Sequence, residues 1–251
     1  MRHGPVFARL FGMLDGGRGS RTALVSVFAG GLILIGVLLA HGTDLRSGRC
    51  VEGVVMVIAQ SQADRDAACD GAERAILVLD GLGLPVLSPI VVHVVDEIDD
   101  IQGASALGTF DARTRLVKVL ARSAYSLGSI DETVLGLPFD DELHASVFAH
   151  EVTHAVFHQH EARIPLSYTA HEYVAYSVQV MTLPEDYRRR LLDRFDVSPF
   201  TNVHQVNGVM LAFDPNSFGV KAYLHFRDSA DQNAVLRGLV RASRAGVTEW
   251  Y

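Results

Sequence analysis

Two hydrophobic patterns divide this chain near its middle. In the first half, valine-rich apolar runs predict strands, and an amphipathic stretch between them predicts a helix. From Pro138 onwards the pattern becomes helical. The predicted elements are strands at 51–59 and 89–96, helices at 62–82 and from Pro138 through a histidine-rich run, a hairpin within 105–120, and further helices at 169–182, 184–195, 215–227 and 229–243. This order predicts an α+β fold, in which a small mixed sheet precedes a helical C-terminal half.

Residues 22–40 form an apolar run without a charged residue. A helix of that length would span about 28 Å, close to the thickness of a bilayer core. Residues 1–21 carry four arginines and one acid, so the positive-inside rule predicts a cytoplasmic N-terminal segment and export of residues 43–251. Two interpretations remain open. A retained signal anchor would give a single-pass bacterial inner-membrane protein with a periplasmic domain, whereas cleavage before Thr43 would release a periplasmic or secreted domain.

Composition limits the partners and the redox chemistry. The 251-residue chain has a net charge of −7, which argues against nucleic acid as a partner. Its only cysteines, Cys50 and Cys69, both follow the apolar run. An oxidising compartment would allow them to pair, and we expect a disulfide rather than two separate buried thiols.

Histidines are concentrated in one region, with six of the 11 lying between His144 and His171. Among them, His150-Glu151-Val152-Thr153-His154 forms an HExxH motif within a predicted helix. Residues i and i+4 share a helix face, so both imidazoles can reach one Zn²⁺ ion, and Glu151 can reach a water bound to it. Apolar residues surround the motif, and metal ligation would compensate for polar groups in a helix otherwise suited to the core.

Catalytic zinc usually has a third protein ligand, and the sequence offers several candidates. His158 is about 12 Å further along a straight helix from His150, too far to share the ion. His160 could serve only if the helix broke near Phe157, and Glu161 needs the same break. Glu172 lies in the next predicted helix, beyond the helix-breaking Pro165, and can return across the first helix. The adjacent His171 should face elsewhere, which makes it a weaker candidate.

Two zinc-peptidase families resemble this region. The run HEVTHAVFHQHE resembles the astacin-type metzincin pattern, although Phe157 stands where that pattern has a glycine. The segment HEYVAYSVQ resembles the glutamate helix of gluzincins, which combine HExxH with a downstream glutamate. This second resemblance implies a zincin-like fold, with Zn²⁺ bound by His150, His154 and Glu172. The gluzincin ExxxD pattern is absent because Tyr176 replaces its aspartate, so the residue that orients a zinc-binding histidine is not identified.

The resemblance also implies roles in catalysis. Glu151 would act as general base towards the zinc-bound water and then return the proton to the leaving amine of a peptide or protein substrate. Such families take an oxyanion donor from the downstream helices, where Tyr223 and His225 are the candidates.

Three functional hypotheses follow from the sequence. The first is a membrane-anchored or periplasmic zinc metallopeptidase. The second is a catalytically silent zincin-fold binding protein tethered to the membrane, and the third is a tethered structural domain without a metal.

Overall fold

The computed structural model describes residues 46–51, 53–98, 106–125 and 133–248. The apolar run 22–40 lies outside these residues, so its assignment as an anchor or a signal peptide stays a prediction. Among the helices of the described ranges, none has the length and apolar character needed to cross a bilayer.

A five-stranded mixed sheet forms one layer of the fold. Its strands are β1 (Arg46–Cys50), β2 (Val55–Ala59), β3 (Ile90–Val95), β4 (Gly108–Asp111) and β5 (Leu116–Leu120), in the spatial order β1-β2-β3-β5-β4. The three inner strands are parallel, and the two outer ones pair antiparallel to them. Alternate valines of the inner strands are buried, which is the pleat period expected of a sheet packed against helices. Strand β4 therefore forms an edge of this sheet.

Helices make up most of the remaining structure. They are α1 (Gln62–Gly81), α2 (Arg122–Tyr125), α3 (Asp141–Gln159), α4 (Tyr168–Thr182), α5 (Glu185–Arg194), α6 (Gly208–Phe213), α7 (Pro215–Asp228) and α8 (Gln232–Arg244). A two-stranded hairpin, β6 (Thr133–Val134) and β7 (Leu137–Pro138), precedes α3, and a 3₁₀ turn covers Val203–Gln205. The α+β prediction is confirmed, and the long predicted helices end within a few residues of their predicted bounds. Sequence patterns missed β1, α2, α6 and the β6–β7 hairpin.

Helix α3 is the central element of the fold. The side chain of Asp140 caps its N-terminus by accepting a hydrogen bond from the Leu143 amide, and two acids in the first turn favour the helix dipole. Most of its residues are buried, because α1, α4, β4 and β5 all pack against it. The approach of α1 is so close that a Cβ at Gly71 would collide with the carbonyl oxygen of Ala145. Glycine is therefore required at this crossing.

A disulfide joins Cys50 at the end of β1 to Cys69 in α1, as the sequence predicted. The two Cα atoms are 5.5 Å apart, and 19 positions separate the residues along the chain. The bond ties the outer strand opposite β4 to the first helix. In the chain-entropy account, it stabilises the fold by limiting the conformations of the unfolded chain.

Loss of this disulfide should measurably destabilise the fold. We expect the double substitution Cys50→Ser and Cys69→Ser to lower the free energy of unfolding by about 3 kcal/mol, the chain-entropy value for a loop of this size. Urea unfolding followed by circular dichroism would measure the change. A reductant should shift the wild-type midpoint and leave that of the double variant unchanged. An equal response of both proteins to the reductant would contradict the assignment.

Candidate metal centre and active site

The HExxH motif lies in the middle of α3 and brings two imidazoles together. His150 and His154 are one helical turn apart, and their Nε2 atoms are separated by 3.1 Å. Both side chains are largely buried. The regular i, i+4 geometry of an unbroken helix is therefore sufficient to bring both nitrogens within reach of one shared ion position.

Glu172 on α4 completes a triangle with these nitrogens. Its carboxylate oxygens Oε2 and Oε1 are each 3.4 Å from the Nε2 atoms of His150 and His154, respectively. Among the described residues, these three side chains form the one cluster whose geometry could hold a metal ion. Tetrahedral ligands about 2.0–2.1 Å from zinc are about 3.3–3.4 Å apart, so the observed spacing matches a zinc site.

The charges within the triangle stabilise one another. Burial alone would raise the pKa of Glu172, but the two imidazoles outweigh this effect and hold its pKa below the usual range. Burial opposes protonation of His154, yet the neighbouring Glu172 carboxylate reverses that effect and raises the pKa of the imidazole. Glu172 is thus ionised, as a carboxylate ligand of a divalent cation must be.

Glu151 is buried beside the triangle, against the edge strand. A Cβ built on Gly108 of β4 would lie 2.7 Å from Glu151 Cγ and 2.8 Å from Oε1, so only glycine leaves room for this carboxylate. Burial raises the pKa of Glu151; the Glu172 charge adds to this effect, and the two imidazoles oppose it. A carboxylate with a raised pKa is a stronger base, which suits proton transfer near neutral pH.

A cavity of about 1130 Å³ opens onto these groups. Its walls come from α3, α4, β4, the N-terminus of α7 and the turn of the β6–β7 hairpin. In that turn, Leu135 and Gly136 both have positive φ values, 52° and 71°. This pair of values is typical of a type I′ hairpin turn, although a leucine in this conformation is strained.

Among the described strands, β4 pairs with β5 on one side and with no strand on its other side. The carbonyl oxygen of Leu107 accepts a hydrogen bond from the Leu120 amide, and antiparallel pairing continues from Gly108 to Asp111. In such a ladder, alternate residues face the partner strand. The N–H and C=O groups of Gly108 and Phe110 therefore point away from β5, and both residues line the cavity.

Three further residues of α4 line the cavity, and no functional role was predicted for them from the sequence. Tyr168 and Tyr176 lie four residues before and after Glu172, and Gln179 lies seven residues after it. The helical period itself is the signal that could have identified them, because all three positions share the face of Glu172. Tyr168 is largely exposed, but partial desolvation and the Glu172 charge raise its pKa to about 12, and both effects also raise the pKa of the less exposed Tyr176. Gln179 Oε1 lies 3.0 Å from His150 Nδ1.

The competing ligands do not join the triangle. Helix α3 continues through Phe157 to Gln159, so the break required by the metzincin pattern is absent from this described helix. His160 Nε2 instead lies 2.8 Å from the carbonyl oxygen of Pro85. His158 pairs with Glu161 at 3.1 Å, and both line the cavity.

The placement of His171 corrects one expectation, because this residue does line the cavity. Its ring centroid lies 5.9 Å from that of His154. Burial, reinforced by the neighbouring His154, lowers the pKa of His171 to about 4. His171 is therefore a neutral wall residue rather than a member of the triangle.

Tyr223 and His225, the expected oxyanion donors, are not among the residues that line the cavity. His225 Nδ1 lies 2.6 Å from the hydroxyl group of Tyr173, a contact that joins α7 to α4. Tyr223 is buried, and the Arg227 guanidinium lies 5.2 Å from its ring centroid. Both side chains contribute to the packing of α7, and their role as oxyanion donors stays a prediction.

A comparison with protein families gives a match over residues 55–246 to a family of unknown function, DUF6639. The chain belongs to the DUF6639 family. The region matched to DUF6639 includes β4, α3 and α4, and therefore every residue of the triangle together with Glu151. No curated protein and no solved structure matches the chain.

The triangle makes a direct prediction about metal content. The purified chain supplied with Zn²⁺ should retain about one ion per molecule, measured by elemental mass spectrometry. His154→Ala and Glu172→Ala should lower this content sharply, because each removes one of three ligands.

His160→Ala is the matched control, since it removes a histidine of the same region that contacts Pro85 instead. It should leave the zinc content unchanged. Zinc lost with His160→Ala but kept with Glu172→Ala would contradict the assignment of the triangle.

Proposed function

We propose that this chain is a zinc-dependent metallopeptidase of the gluzincin type, with a zincin-like fold, exported through residues 22–40. One observation carries the proposal: His150, His154 and Glu172 form a triangle with tetrahedral ligand spacing, and Glu151 is buried beside it. The cavity supports the proposal further, because it gives the triangle access to solvent and to a substrate of peptide size.

The residues present fit a zinc ion. Two imidazoles and one carboxylate form a ligand set found in zinc peptidases, and they leave a fourth position for water. When bound, zinc would supply Lewis-acid activation of that water and of a substrate carbonyl group. A further carboxylate, that of Glu151, lies against Gly108 of β4, so the base is next to the strand along which a substrate would lie.

Glu151 supplies the proton chemistry in this proposal. Its carboxylate accepts a proton from the attacking water, holds it in the buried site and donates it to the leaving amine nitrogen as the peptide bond breaks. Its raised pKa suits both steps, since the group must be ionised before attack and protonated afterwards. The phenols of Tyr168 and Tyr176 keep their protons at physiological pH and are the candidate donors to the tetrahedral oxyanion.

The edge strand β4 favours a peptide as the substrate. The outward N–H and C=O groups of Gly108 and Phe110 can pair with an extended peptide added as a further strand. Such pairing recognises the backbone and depends little on side chains. The cleaved bond would then pass Glu151, which lies against Gly108.

The substitution Glu151→Gln tests the proposed role of the base. Hydrolysis of a mixed peptide library, followed by mass spectrometry, should fall by about 10²- to 10⁴-fold, because a carboxamide cannot accept the proton. Zinc content should stay at the wild-type level, since Glu151 is not part of the triangle. Glu73→Gln, an exposed position on α1, is the control and should keep the wild-type rate.

Two outcomes would count against the peptidase. A Glu151→Gln variant that cleaves as fast as wild type would remove Glu151 as the base. A wild-type chain that retains zinc but cleaves no peptide in the library would favour the silent zincin-fold binding protein instead.

Gly108→Ala should impair catalysis without removing a catalytic group. The added methyl group would overlap Glu151 Cγ and push the carboxylate out of position. A displacement of about 1 Å lowers kcat by about 100-fold in well-ordered sites. The control is Gly81→Ala, where the new Cβ meets no atom within 4 Å. Equal kcat values for the two alanine variants would show that Glu151 tolerates the methyl group.

A further inference from the structure

His150 is connected to its own helix by a relay of three hydrogen bonds that passes through α4. The Ser146 hydroxyl donates to the Leu143 carbonyl oxygen at 2.7 Å. Gln179 Nε2 donates to Ser146 Oγ at 3.2 Å, and Gln179 Oε1 lies 3.0 Å from His150 Nδ1. Ser146, His150 and Gln179 are all buried.

The direction of every bond in this relay is fixed by its first member. A carbonyl oxygen can only accept, so Ser146 must use its single hydroxyl proton on Leu143. Ser146 Oγ is then available as an acceptor, which turns the NH₂ group of Gln179 towards it. The carbonyl oxygen of Gln179 consequently faces His150 and can only accept from it. Nδ1 of His150 must therefore carry the proton.

We propose that Gln179 is a positioning residue that holds His150 in the Nδ1–H tautomer, with the Nε2 lone pair directed at the metal position. The inference rests on the proposed function, in which His150 is a zinc ligand through Nε2. Nε2 is the atom that lies 3.1 Å from His154 Nε2 and 3.4 Å from the Glu172 carboxylate. An imidazole of the other tautomer would present a proton to the ion instead of a lone pair.

The relay gives α4 two connected tasks. Glu172 and Gln179 are seven residues apart, which is close to two full helical turns, so both project from one face towards α3. One helix thus supplies the third ligand and also orients the first. Gln179 accepts a hydrogen bond from the imidazole through a neutral amide oxygen, so it adds no second negative charge beside Glu172.

The first experiment compares Gln179→Leu and Gln179→Glu with wild type. Leucine removes the acceptor, and the zinc affinity measured by chelator competition should fall by about 10- to 100-fold. Glutamate restores an acceptor of similar shape and should return the affinity to the wild-type level or above it. Nitrogen-15 shifts of the His150 ring, recorded without metal at a pH where the ring is neutral, should report Nδ1–H in wild type and Gln179→Glu and a mixture of tautomers in Gln179→Leu.

Ser146→Ala is the sharper variant, because the Ser146 hydroxyl is bonded to Leu143 and Gln179 rather than to the imidazole. Without the serine acceptor, the Gln179 amide loses its fixed orientation, and both the tautomer signal and the zinc affinity should weaken. Ser177→Ala is its matched control. Ser177 is equally buried and donates to the Tyr173 carbonyl oxygen at 2.7 Å, outside the relay, so its loss should change only stability.

Failure of the inference and failure of the proposed function give different results. Wild-type chain that binds no zinc would overturn the proposed function, while the metal-free tautomer signal would still decide the role of Gln179. Wild type that binds zinc, together with Gln179→Leu or Ser146→Ala showing unchanged affinity and an unchanged His150 signal, would overturn the inference. An unstable Gln179→Leu leaves Ser146→Ala against Ser177→Ala as the deciding comparison.

Discussion

Burial of helix α3 is the constraint on which the rest of this structure depends. A helix enclosed by a sheet and two other helices cannot leave a polar side chain without a partner, since each such group would cost about 1–3 kcal/mol. The polar residues of α3 that face protein have internal partners: His144 reaches the Leu120 carbonyl oxygen, and Thr153 bonds back to that of Ala149. His154 and Glu151 face the cavity instead. The candidate site is thus the place where the buried middle of this helix exposes functional groups.

Helix α4 packs against α3 and faces the two histidines of the HExxH motif. It presents a carboxylate to the two imidazoles and a carboxamide to Nδ1 of His150, and it also packs against α1, α7 and α8. The position of the site therefore depends on the packing of the whole helical half. A loss of packing around α4 would move a ligand and its neighbour together, whereas α3 alone can hold only the histidine pair.

The parts of the site that follow from short-range periodicity could be predicted from the sequence. An HExxH motif on a continuous helix determines the distance between His150 and His154, and Glu172 could be selected because Pro165 ends the preceding helical region. The positions of Gln179 and Gly108 could not be predicted, since they depend on how α4 and β4 approach α3 in three dimensions. The contact between the His225 ring and the Tyr173 hydroxyl group could not be predicted either, since it depends on how α7 packs against α4. In the fold, the long elements were predictable, but two-residue strands such as β6 and β7 have too few positions to show a period.

The hairpin turn at Leu135 and Gly136 has a consequence for the thermodynamics of recognition. A leucine held at positive φ costs about 1–2 kcal/mol, and the surrounding fold supplies this energy before any ligand arrives. Because Leu135 is buried and its turn matches the twist of the two strands, this wall of the cavity has already lost its conformational freedom. A ligand bound against it has little loop-ordering entropy to overcome. This part of the cavity is therefore suited to shape selection by a preorganised surface rather than to induced fit.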